Sequence, residues 1–273
     1  MRIAISNIAW DTHEDEAVAA LLQRHGIDAI DVAPTKYFSK PAEARTDDVQ
    51  AVREWWAQRG VEITGMQSLL FGTQGLNLFG PPDVQDAMLM HLEHVCRIGA
   101  GLGARRLVFG SPRNRDRGGL SDDQCRSMAT DFLRRLGDIA CTHDVLICLE
   151  PNPERYGANF MTTAEETAAV VRHVAHPGIA MQFDTGALTI SNESAATVLE
   201  AHAPLIGHVH LSDPDLVPLG IGDTNHASLA PLLRRHLPHH VLTIEMLTPE
   251  GEQRLAAIDA AVGYAVRVYG DTP

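Results

Sequence analysis

The sequence is poor in basic residues and has no long apolar run. Its 273 residues include 22 Lys and Arg against 35 Asp and Glu, which gives a formal net charge of −13. Such a charge disfavours binding to nucleic acids, whose partners usually carry a basic surface, and binding to anionic membrane surfaces. No apolar run reaches the roughly 18 residues that a membrane span requires. We therefore expect neither a nucleic-acid partner nor a membrane.

Cysteines are also few. Cys96, Cys125, Cys141 and Cys148 are scattered along the chain, without a Cys-x-x-Cys pair. In a chain of this length we interpret them as reduced and mostly buried thiols. The segment MRIAISNIAW is too short and turns polar too early for a signal peptide. A cytoplasmic protein is the resulting expectation.

The remaining composition favours a globular protein with a sizeable core. Apolar residues make up 45% of the chain and charged residues 21%, which is typical of soluble domains. No Pro/Gly/Ser-rich linker and no shift in composition marks a domain boundary. We interpret residues 1–273 as a single domain, since α/β barrels reach about 250 residues as one unit.

Short β-rich runs alternate with longer helical patterns throughout the chain. Strands are predicted near Arg2–Ser6, Ile27–Val32, Val61–Met66, Arg105–Gly110, Val145–Glu150, Ile179–Asp184, Ile206–Leu211 and Val241–Met246. Helices are predicted near Glu14–His25, Asp47–Arg59, Val84–Gly101, Asp122–His143, Thr163–Val174, Ser194–Ala203, Ser228–His236 and Glu252–Tyr269. Parallel strands need crossover connections, which these helices would supply. Eight such units predict a closed (β/α)8 TIM barrel, with an open doubly wound sheet as the alternative.

Three connections after predicted strands are unusually long: Ala33–Thr46, Leu69–Asp83 and Ser111–Ser121. In a barrel, loops that follow strands lie on the catalytic face. Long loops in this position more often shape a substrate pocket than not.

Four acid and imidazole residues lie at the ends of four successive predicted strands. The segments VLICLEPN, IAMQFDTG, LIGHVHLSD and VLTIEML contain Glu150, Asp184, His210 and Glu245, which are 34, 26 and 35 residues apart. Taken alone, one such carboxylate is explained equally well as a helix cap or ion-pair partner and as a metal ligand. Three carboxylates buried side by side would be strongly unfavourable without a cation. The pattern therefore predicts a site for a divalent metal ion.

The predicted ligands also narrow the choice of metal. Three carboxylates and one imidazole form a harder set than the thiolates of structural zinc sites. We expect one divalent ion, with Mn²⁺ first and Mg²⁺, Co²⁺ or Zn²⁺ as alternatives. His208, two residues before His210, faces the same side of its strand one layer deeper. We interpret it as a hydrogen-bonded core histidine.

The motifs LEPN, QFDTG, HVHLSD and TIEM, in this order and spacing, resemble the sugar phosphate isomerase/epimerase family of xylose isomerase-like barrels. D-tagatose 3-epimerases, hydroxypyruvate isomerases and inosose dehydratases belong to that family. The resemblance spans essentially the whole chain, including RRLVFGSP in the fourth strand. It implies that Glu150, Asp184, His210 and Glu245 bind the metal and that the two glutamates transfer a proton. It also implies a small carbohydrate-like substrate and a tendency to form homo-oligomers.

The chain departs from the family at three positions that usually contact substrate hydroxyls. Ala187 and Leu188 stand where a histidine follows the strand-six aspartate. Gly157 replaces a glutamate, and Leu216 lies where an arginine is expected. These departures argue against a D-tagatose-type ketohexose as the substrate.

Replacement contacts are predicted from the loops. Arg113 and Arg115, in a basic cluster after strand four, are candidates for binding a phosphate or carboxylate. Arg155 and Asn159 follow Glu150 closely in sequence. The remaining candidates are loop residues that we expect at the pocket wall or rim: Trp10, Lys36, Phe71 and Asp223.

The leading functional hypothesis is an isomerase or epimerase of a small keto sugar, sugar phosphate, sugar acid or cyclitol. Proton transfer through an enediolate by Glu150 and Glu245 would carry the reaction. A dehydratase or lyase is the alternative, because the same enediolate can expel a hydroxyl group. An endonuclease IV-like phosphodiesterase is disfavoured by the net charge and by the absence of histidine in GMQSLL and VFGSPR. A non-catalytic barrel is disfavoured by the intact ligand positions.

Overall fold

A computed structural model describes residues 1–249, 251 and 253–270 of the chain. Its strands are β1 Ile3–Ser6, β2 Ala29–Val32, β3 Glu62–Met66, β4 Arg106–Phe109, β5 Leu146–Leu149, β6 Ile179–Asp184, β7 Ile206–Leu211 and β8 Leu242–Ile244. Each strand pairs in parallel with its neighbours in sequence, and β1 pairs with β8, so the sheet closes into a barrel. The predicted TIM barrel is confirmed, and the open sheet is excluded.

The crossover connections are helical, as predicted. The helices are α1 Asp15–Arg24, α2 Pro34–Tyr37, α3 Thr46–Ala57, α4 Pro82–Leu102, α5 Asp122–Thr142, α6 Ala164–Val174, α7 Thr185–Ser191, α8 Ala195–His202, α9 His226–His236 and α10 Gln253–Tyr269. The short helices α2 and α7 were not predicted. The predicted start of the last helix, Glu252, lies outside the described residues.

Local sequence explains where several helices begin. At the start of α5, Ser121 and Gln124 form a capping box, in which each side chain accepts a hydrogen bond from the other residue's backbone N–H. Thr163 and Ser194 cap α6 and α8 with one side-chain bond each, in which the hydroxyl oxygen accepts from a backbone N–H of the first turn. The apolar faces of the helices pack on strands that are themselves largely buried; all six residues of β6, for example, are buried. The core therefore lies between the strands and the surrounding helices.

The strand register brings the ends of β6, β7 and β8 to one level. The Cα of Asp184 is paired with that of His210, and Leu211 is paired with Ile244. The backbone N–H of Glu245 donates to the carbonyl of Leu211 at 2.9 Å, so this residue continues the ladder. Side chains that were predicted at strand ends therefore meet at the carboxyl end of the barrel. None of the described helices is both long and apolar enough to cross a membrane.

Candidate metal centre

The four residues predicted at strand ends converge in the structure. Glu150, Asp184, His210 and Glu245 each offer a ligand atom, and these atoms all lie within 4.8 Å of one another. His210 Nδ1 lies 3.3 Å from an oxygen of Glu245 and 3.8 Å from oxygens of Glu150 and Asp184. Ligands on opposite sides of an ion are about 4.2 Å apart, at about 2.1 Å from it. A cluster of this size is suited to a single ion.

Asp184 divides its two oxygens between two tasks. Oδ1 accepts from the backbone N–H of Ala187 at 2.6 Å, which caps α7, and from the hydroxyl of Ser212 at 2.8 Å. Oδ2 faces the His210 ring. The oxygen that caps α7 therefore differs from the oxygen that faces the cluster, so capping leaves the second oxygen free for an ion.

Glu150 is held in the same divided way. Its Oε2 accepts from the side-chain amide of Asn152 at 3.1 Å, and its Oε1 faces His210. Asn152 also donates to the carbonyl of Gly110 at 2.8 Å. A Cβ on Gly110, the residue after β4, would lie only 1.6 Å from Glu150 Oε2, so a glycine here leaves room for this carboxylate in its observed position.

Glu245 completes the pattern. Its Oε1 accepts from Gln67 Nε2 at 2.5 Å, and its Oε2 is the oxygen nearest to the imidazole of His210. Gln67 follows β3 directly in sequence. Each carboxylate of the cluster thus has one oxygen fixed by an outer donor and the other turned toward a common centre, an arrangement typical of metal sites with an orienting outer layer.

Sequence reasoning did not predict these outer donors, Gln67, Asn152 and Ser212. A signal for them was present, since Asn152 and Ser212 lie within the motifs LEPN and HVHLSD and Gln67 is the first residue after β3. Polar residues immediately beyond a strand end are the positions from which a neighbouring ligand can be oriented.

The electrostatics of the cluster also favour a cation. Burial and the charges of Glu245 and Glu150 raise the pKa of Asp184 to about 7. Burial lowers the pKa of His210, but the surrounding carboxylates outweigh it and raise that pKa well above 6.5. Within the described chain neither ring nitrogen of His210 has a hydrogen-bond partner. Carboxylate oxygens and imidazole nitrogens fit Mn²⁺, Mg²⁺, Co²⁺ or Zn²⁺, and such an ion would remove the repulsion.

Two small cavities flank the cluster, and Glu150 and Glu245 line both of them. One, of about 230 Å³, lies beside the ends of β3 and β4 and is lined by Phe71 and Val108 among others. The other, of about 340 Å³, lies beside the ends of β5, β6 and β7 and includes Ala187. Among the described residues, no Lys, Arg or His side chain lines either cavity.

Of the eight predicted substrate contacts, Phe71 is the one that lines a cavity beside the cluster, and its side chain is 71% exposed. Trp10 is buried, and its indole N–H donates to Asp15 at 2.7 Å. Lys36 donates to the backbone carbonyl of Trp10 and lies 3.8 Å from Asp11. These contacts place Trp10 and Lys36 in the packing of the first loops rather than on a cavity wall.

The predicted basic contacts are also engaged elsewhere or exposed. Arg115 is fully buried and donates to the backbone carbonyl of Glu150 at 2.7 Å; burial lowers its pKa to about 10. Arg155 pairs with Asp215. Arg113 is exposed and has no ion-pair partner among the described residues.

Asn159 and Asp223 also lie outside both cavities. Asn159 connects two loops, because its amide donates to Asp116 at 2.7 Å and its carbonyl oxygen accepts from the backbone N–H of Arg117 at 3.0 Å. Asp223 is an exposed turn residue before α9. In contrast, Leu216 and Ala187, two of the three departures from the family pattern, line the cavity beside Asp184.

A larger cavity, of about 970 Å³, opens at the opposite, amino-terminal end of the barrel. Arg53, Arg105 and Arg106 lie around it, and Glu62 is the acid that lines it among the described residues. Arg105 pairs with Asp144 and donates to its carbonyl, which follows the carboxyl end of α5. This end of a TIM barrel usually serves stability, and it lacks the convergent carboxylates of the smaller cavities.

Comparison with known proteins is consistent with this geometry. The family model for the xylose isomerase-like TIM barrel matches residues 19–265. A D-psicose 3-epimerase from Clostridium cellulolyticum H10 superposes with a TM-score of 0.83 at 15% identity, covering 99% of this chain and 100% of that one. A 3-keto-D-glucoside 4-epimerase from E. coli gives 0.79 at 18% identity, with 97% and 98% covered.

A probable 3-DHS dehydratase from Bacillus anthracis also superposes, with a TM-score of 0.72 at 14% identity and with 97% and 99% of the chains covered. A search of the curated proteins gave no match. At these identities the solved structures establish a shared fold, whereas the family model covers most of the sequence. The chain belongs to the xylose isomerase-like TIM barrel family.

Proposed function

We propose that the protein is a divalent-metal-dependent isomerase or epimerase of a small, neutral keto sugar or cyclitol. The observation that carries this proposal is the orientation of the cluster. Three carboxylates each turn one oxygen toward His210 Nδ1, and two of them line both adjoining cavities. Metal ligands and proton carriers are thereby combined at one point between two spaces that a substrate can occupy.

Glu150, Asp184, His210 and Glu245 would hold the ion, with Mn²⁺ as the first expectation. When bound, the ion would polarise a substrate carbonyl and neutralise the negative charge that develops on its oxygen. The protein supplies an oxygen-rich set and leaves space on two sides of it. Glu150 and Glu245 line both cavities, whereas Asp184 lines only one of them, so we assign Asp184 a ligand role alone.

Glu150 and Glu245 are the proton-transfer pair of this proposal. One carboxylate removes the proton next to the carbonyl, and the other returns a proton from the opposite side. Asn152 and Gln67 hold the outer oxygens of the two glutamates. These bonds restrict side-chain rotation, so the orientation of each carboxylate is fixed before a substrate binds.

The cavities favour a neutral substrate over the sugar phosphates and sugar acids that are compatible with the sequence alone. A phosphate beside three carboxylates would need a cationic partner, and no described Lys, Arg or His side chain lines either cavity. Arg115 is fully buried with one nitrogen on the Glu150 carbonyl, and Arg155 pairs with Asp215. A divalent ion would offset only two of the three carboxylate charges, so a sugar phosphate or sugar acid would still be repelled.

Proton exchange tests the proposal directly. Metal-loaded protein in ²H₂O should incorporate deuterium next to the carbonyl of a neutral keto sugar, and the matching sugar phosphate should exchange much more slowly. Glu150→Gln and Glu245→Gln should lose the exchange. Glu154→Gln alters an exposed acid on the same loop as Glu150 and should leave it unchanged. Turnover with full retention of the substrate hydrogen, or wild-type exchange in both Gln variants, would contradict the proposal.

A dehydratase is the second candidate. It is favoured by the same pair of glutamates, since a carboxylate that returns a proton to carbon can instead protonate a departing hydroxyl group. The fold shared with a probable 3-DHS dehydratase agrees with this option. Product mass separates the two: loss of one water indicates dehydration, and an unchanged mass indicates isomerisation or epimerisation.

A further inference from the structure

One layer below the cluster, the barrel interior contains a second buried acid, Asp31 on β2. Its carboxylate accepts three side-chain hydrogen bonds: from His208 Nε2 at 2.6 Å, from Thr64 Oγ1 at 3.0 Å and from Thr243 Oγ1 at 3.1 Å. A Cβ on Gly65 would lie 2.6 Å from both oxygens of Asp31. A glycine at this position on β3 is therefore needed for the carboxylate to fit.

The donors to Asp31 belong to strands that carry the metal centre. On β7, His208 precedes His210 by two residues, and on β8, Thr243 precedes Glu245 by two residues. Side chains two residues apart on a strand face the same side, one layer apart. The bond from His208 to Asp31 consequently fixes the position of β7 along the barrel axis, and with it His210. The bond from Thr243 does the same for β8 and Glu245.

The third donor makes a similar connection on β3. Thr64 lies three residues before Gln67, whose amide holds Glu245. The His208 ring also contacts the His210 ring edge-on, with ring centroids 4.7 Å apart and an interplanar angle of 88°. This contact fixes the plane of the His210 imidazole, although no hydrogen bond joins the two rings.

We propose that Asp31 is the positioning residue of the metal centre. Through His208 and Thr243 it holds His210 and Glu245 in register with each other across the barrel interior. This inference rests on the proposed function, because it concerns how the same cluster is assembled. It adds residues that do not touch the ion and predicts that they control its affinity.

An alternative is that Asp31, His208 and His210 themselves hold an ion, since their ligand atoms also lie within 4.8 Å of one another. The direct 2.6 Å bond between Asp31 and His208 opposes this alternative, because a shared ion would have to replace it. The Asp31 carboxylate already has three donors, so it has little to gain from a cation. We therefore infer one ion per chain.

Isothermal titration of metal-free protein with Mn²⁺ tests the inference through affinity rather than turnover. His208→Phe keeps a ring against His210 but removes the donor to Asp31. We expect it to weaken Mn²⁺ binding by roughly 10–100-fold, the usual range for outer-layer substitutions. Thr243→Val is nearly isosteric and removes one weaker donor, so we expect a loss of a few-fold and an intact fold.

The matched control is His202→Phe. His202 is also buried and bonded to an acid, with its Nε2 2.8 Å from a Glu165 oxygen, but it lies on helix α8 away from the cluster. Its substitution should lower the melting temperature and leave Mn²⁺ affinity within about twofold of wild type.

The outcomes separate this inference from the proposed function. A wild-type protein that binds no divalent ion would overturn both. Wild-type binding with undiminished affinity in folded Thr243→Val and His208→Phe would overturn only the positioning role of Asp31. An equal loss of affinity in His202→Phe would overturn it as well, since the effect would then follow general destabilisation. Two ions per chain, one of them lost in His208→Phe, would establish the alternative site instead.

Discussion

Strand β7 carries two buried histidines, two residues apart, with opposite surroundings. His208 bonds to one carboxylate, that of Asp31, which has three donors in all. His210 faces three carboxylates, while both of its ring nitrogens lack hydrogen-bond partners among the described residues. The Asp31 carboxylate is saturated, although Nδ1 of His208 also lacks a hydrogen-bond partner among the described residues, whereas three carboxylates converge on His210 and neither of its ring nitrogens is bonded. Burial of acids and histidines is common to both, so the convergence of three carboxylates on one imidazole is what distinguishes the candidate site.

The aspartates of the two layers show the same contrast in their acidity. Burial raises the pKa of Asp31, but His208, His210 and the hydroxyl donor Thr64 together outweigh burial and hold that pKa below its usual value. For Asp184, burial and the charges of Glu245 and Glu150 act in the same direction and raise the pKa to about 7. Asp31 is thus a stable anion. Asp184 is stable as an anion only when a cation lies beside it or when the pH exceeds its raised pKa.

The largest expected effect comes from neutralising Glu150 or Glu245, the acids of the upper layer (the cluster around His210) that we propose as proton carriers. Glu150→Gln or Glu245→Gln should lower the rate of substrate proton exchange by roughly a thousandfold, within the range attributed to general acid–base groups. The metal-free protein should lose little stability, because each change removes a repelled charge. Exchange rates and urea unfolding, measured side by side, check both halves. If the Gln variants lost stability as severely as they lost exchange rate, the upper carboxylates would be stabilising groups like Asp31, and the contrast between the two layers would not hold.

Aspartate-to-asparagine substitutions in the two layers should change stability in opposite directions. Asp31→Asn removes a charge that its donors stabilise, so the free energy of unfolding should fall by about 3 kcal/mol. Asp184→Asn preserves the cap of α7, since Asn caps helices as well as Asp does, and it relieves repulsion from the neighbouring glutamates. The metal-free Asp184→Asn protein should therefore be at least as stable as wild type.

Urea unfolding of both variants, in the presence of a chelator, provides the measurement. Added Mn²⁺ should then stabilise wild type but hardly affect Asp184→Asn, because an ion at a concentration below its dissociation constant adds little to the free energy of unfolding. If Asp184→Asn proved as destabilising as Asp31→Asn, the upper cluster would be a structural network like the lower one.

Glycine-to-alanine substitutions compare the two layers in another way, because each adds one methyl group beside a carboxylate of one layer. Gly110→Ala would place a Cβ 1.6 Å from Glu150 Oε2, and Gly65→Ala would place one 2.6 Å from the Asp31 oxygens. Each should cost about 1–3 kcal/mol of stability, as overpacking usually does. The displaced Glu150 is a proton carrier in our proposal, so Gly110→Ala should also lower exchange at least tenfold. Gly119→Ala, where an added Cβ meets open space, is the control.

Much of this fold was predictable because its signals are local. Each observed strand lies within one of the eight predicted runs, and the four cluster residues were found because β-strand ends can be recognised in sequence. Repetition of strand and helix then implies that these ends meet. The same reasoning identified His208 as a core residue one layer deeper, which its bond to Asp31 confirms.

The role of Asp31 could not be predicted in this way. Its three donors lie 33, 177 and 212 residues away in sequence, and only closure of the barrel brings them together. The loop candidates were harder for a related reason: position after a strand does not determine side-chain direction. Trp10 and Arg115 follow strands as expected, yet both side chains are buried and bonded within the protein.

The smallest predicted effect is the pH dependence of metal binding, and it depends on the upper layer alone. A proton must leave Asp184 before it binds a cation, and the pKa of Asp184 is raised to about 7. Below that value, the protonation of Asp184 by itself should lower the affinity for Mn²⁺ by up to about tenfold for each pH unit, or about 1.4 kcal/mol. The raised pKa of His210 adds to the fall in the same direction. Titrations of wild type at pH 6, 7 and 8 should show this decline, and Mn²⁺ affinity that is flat across this range would mean that the cluster is already ionised without metal.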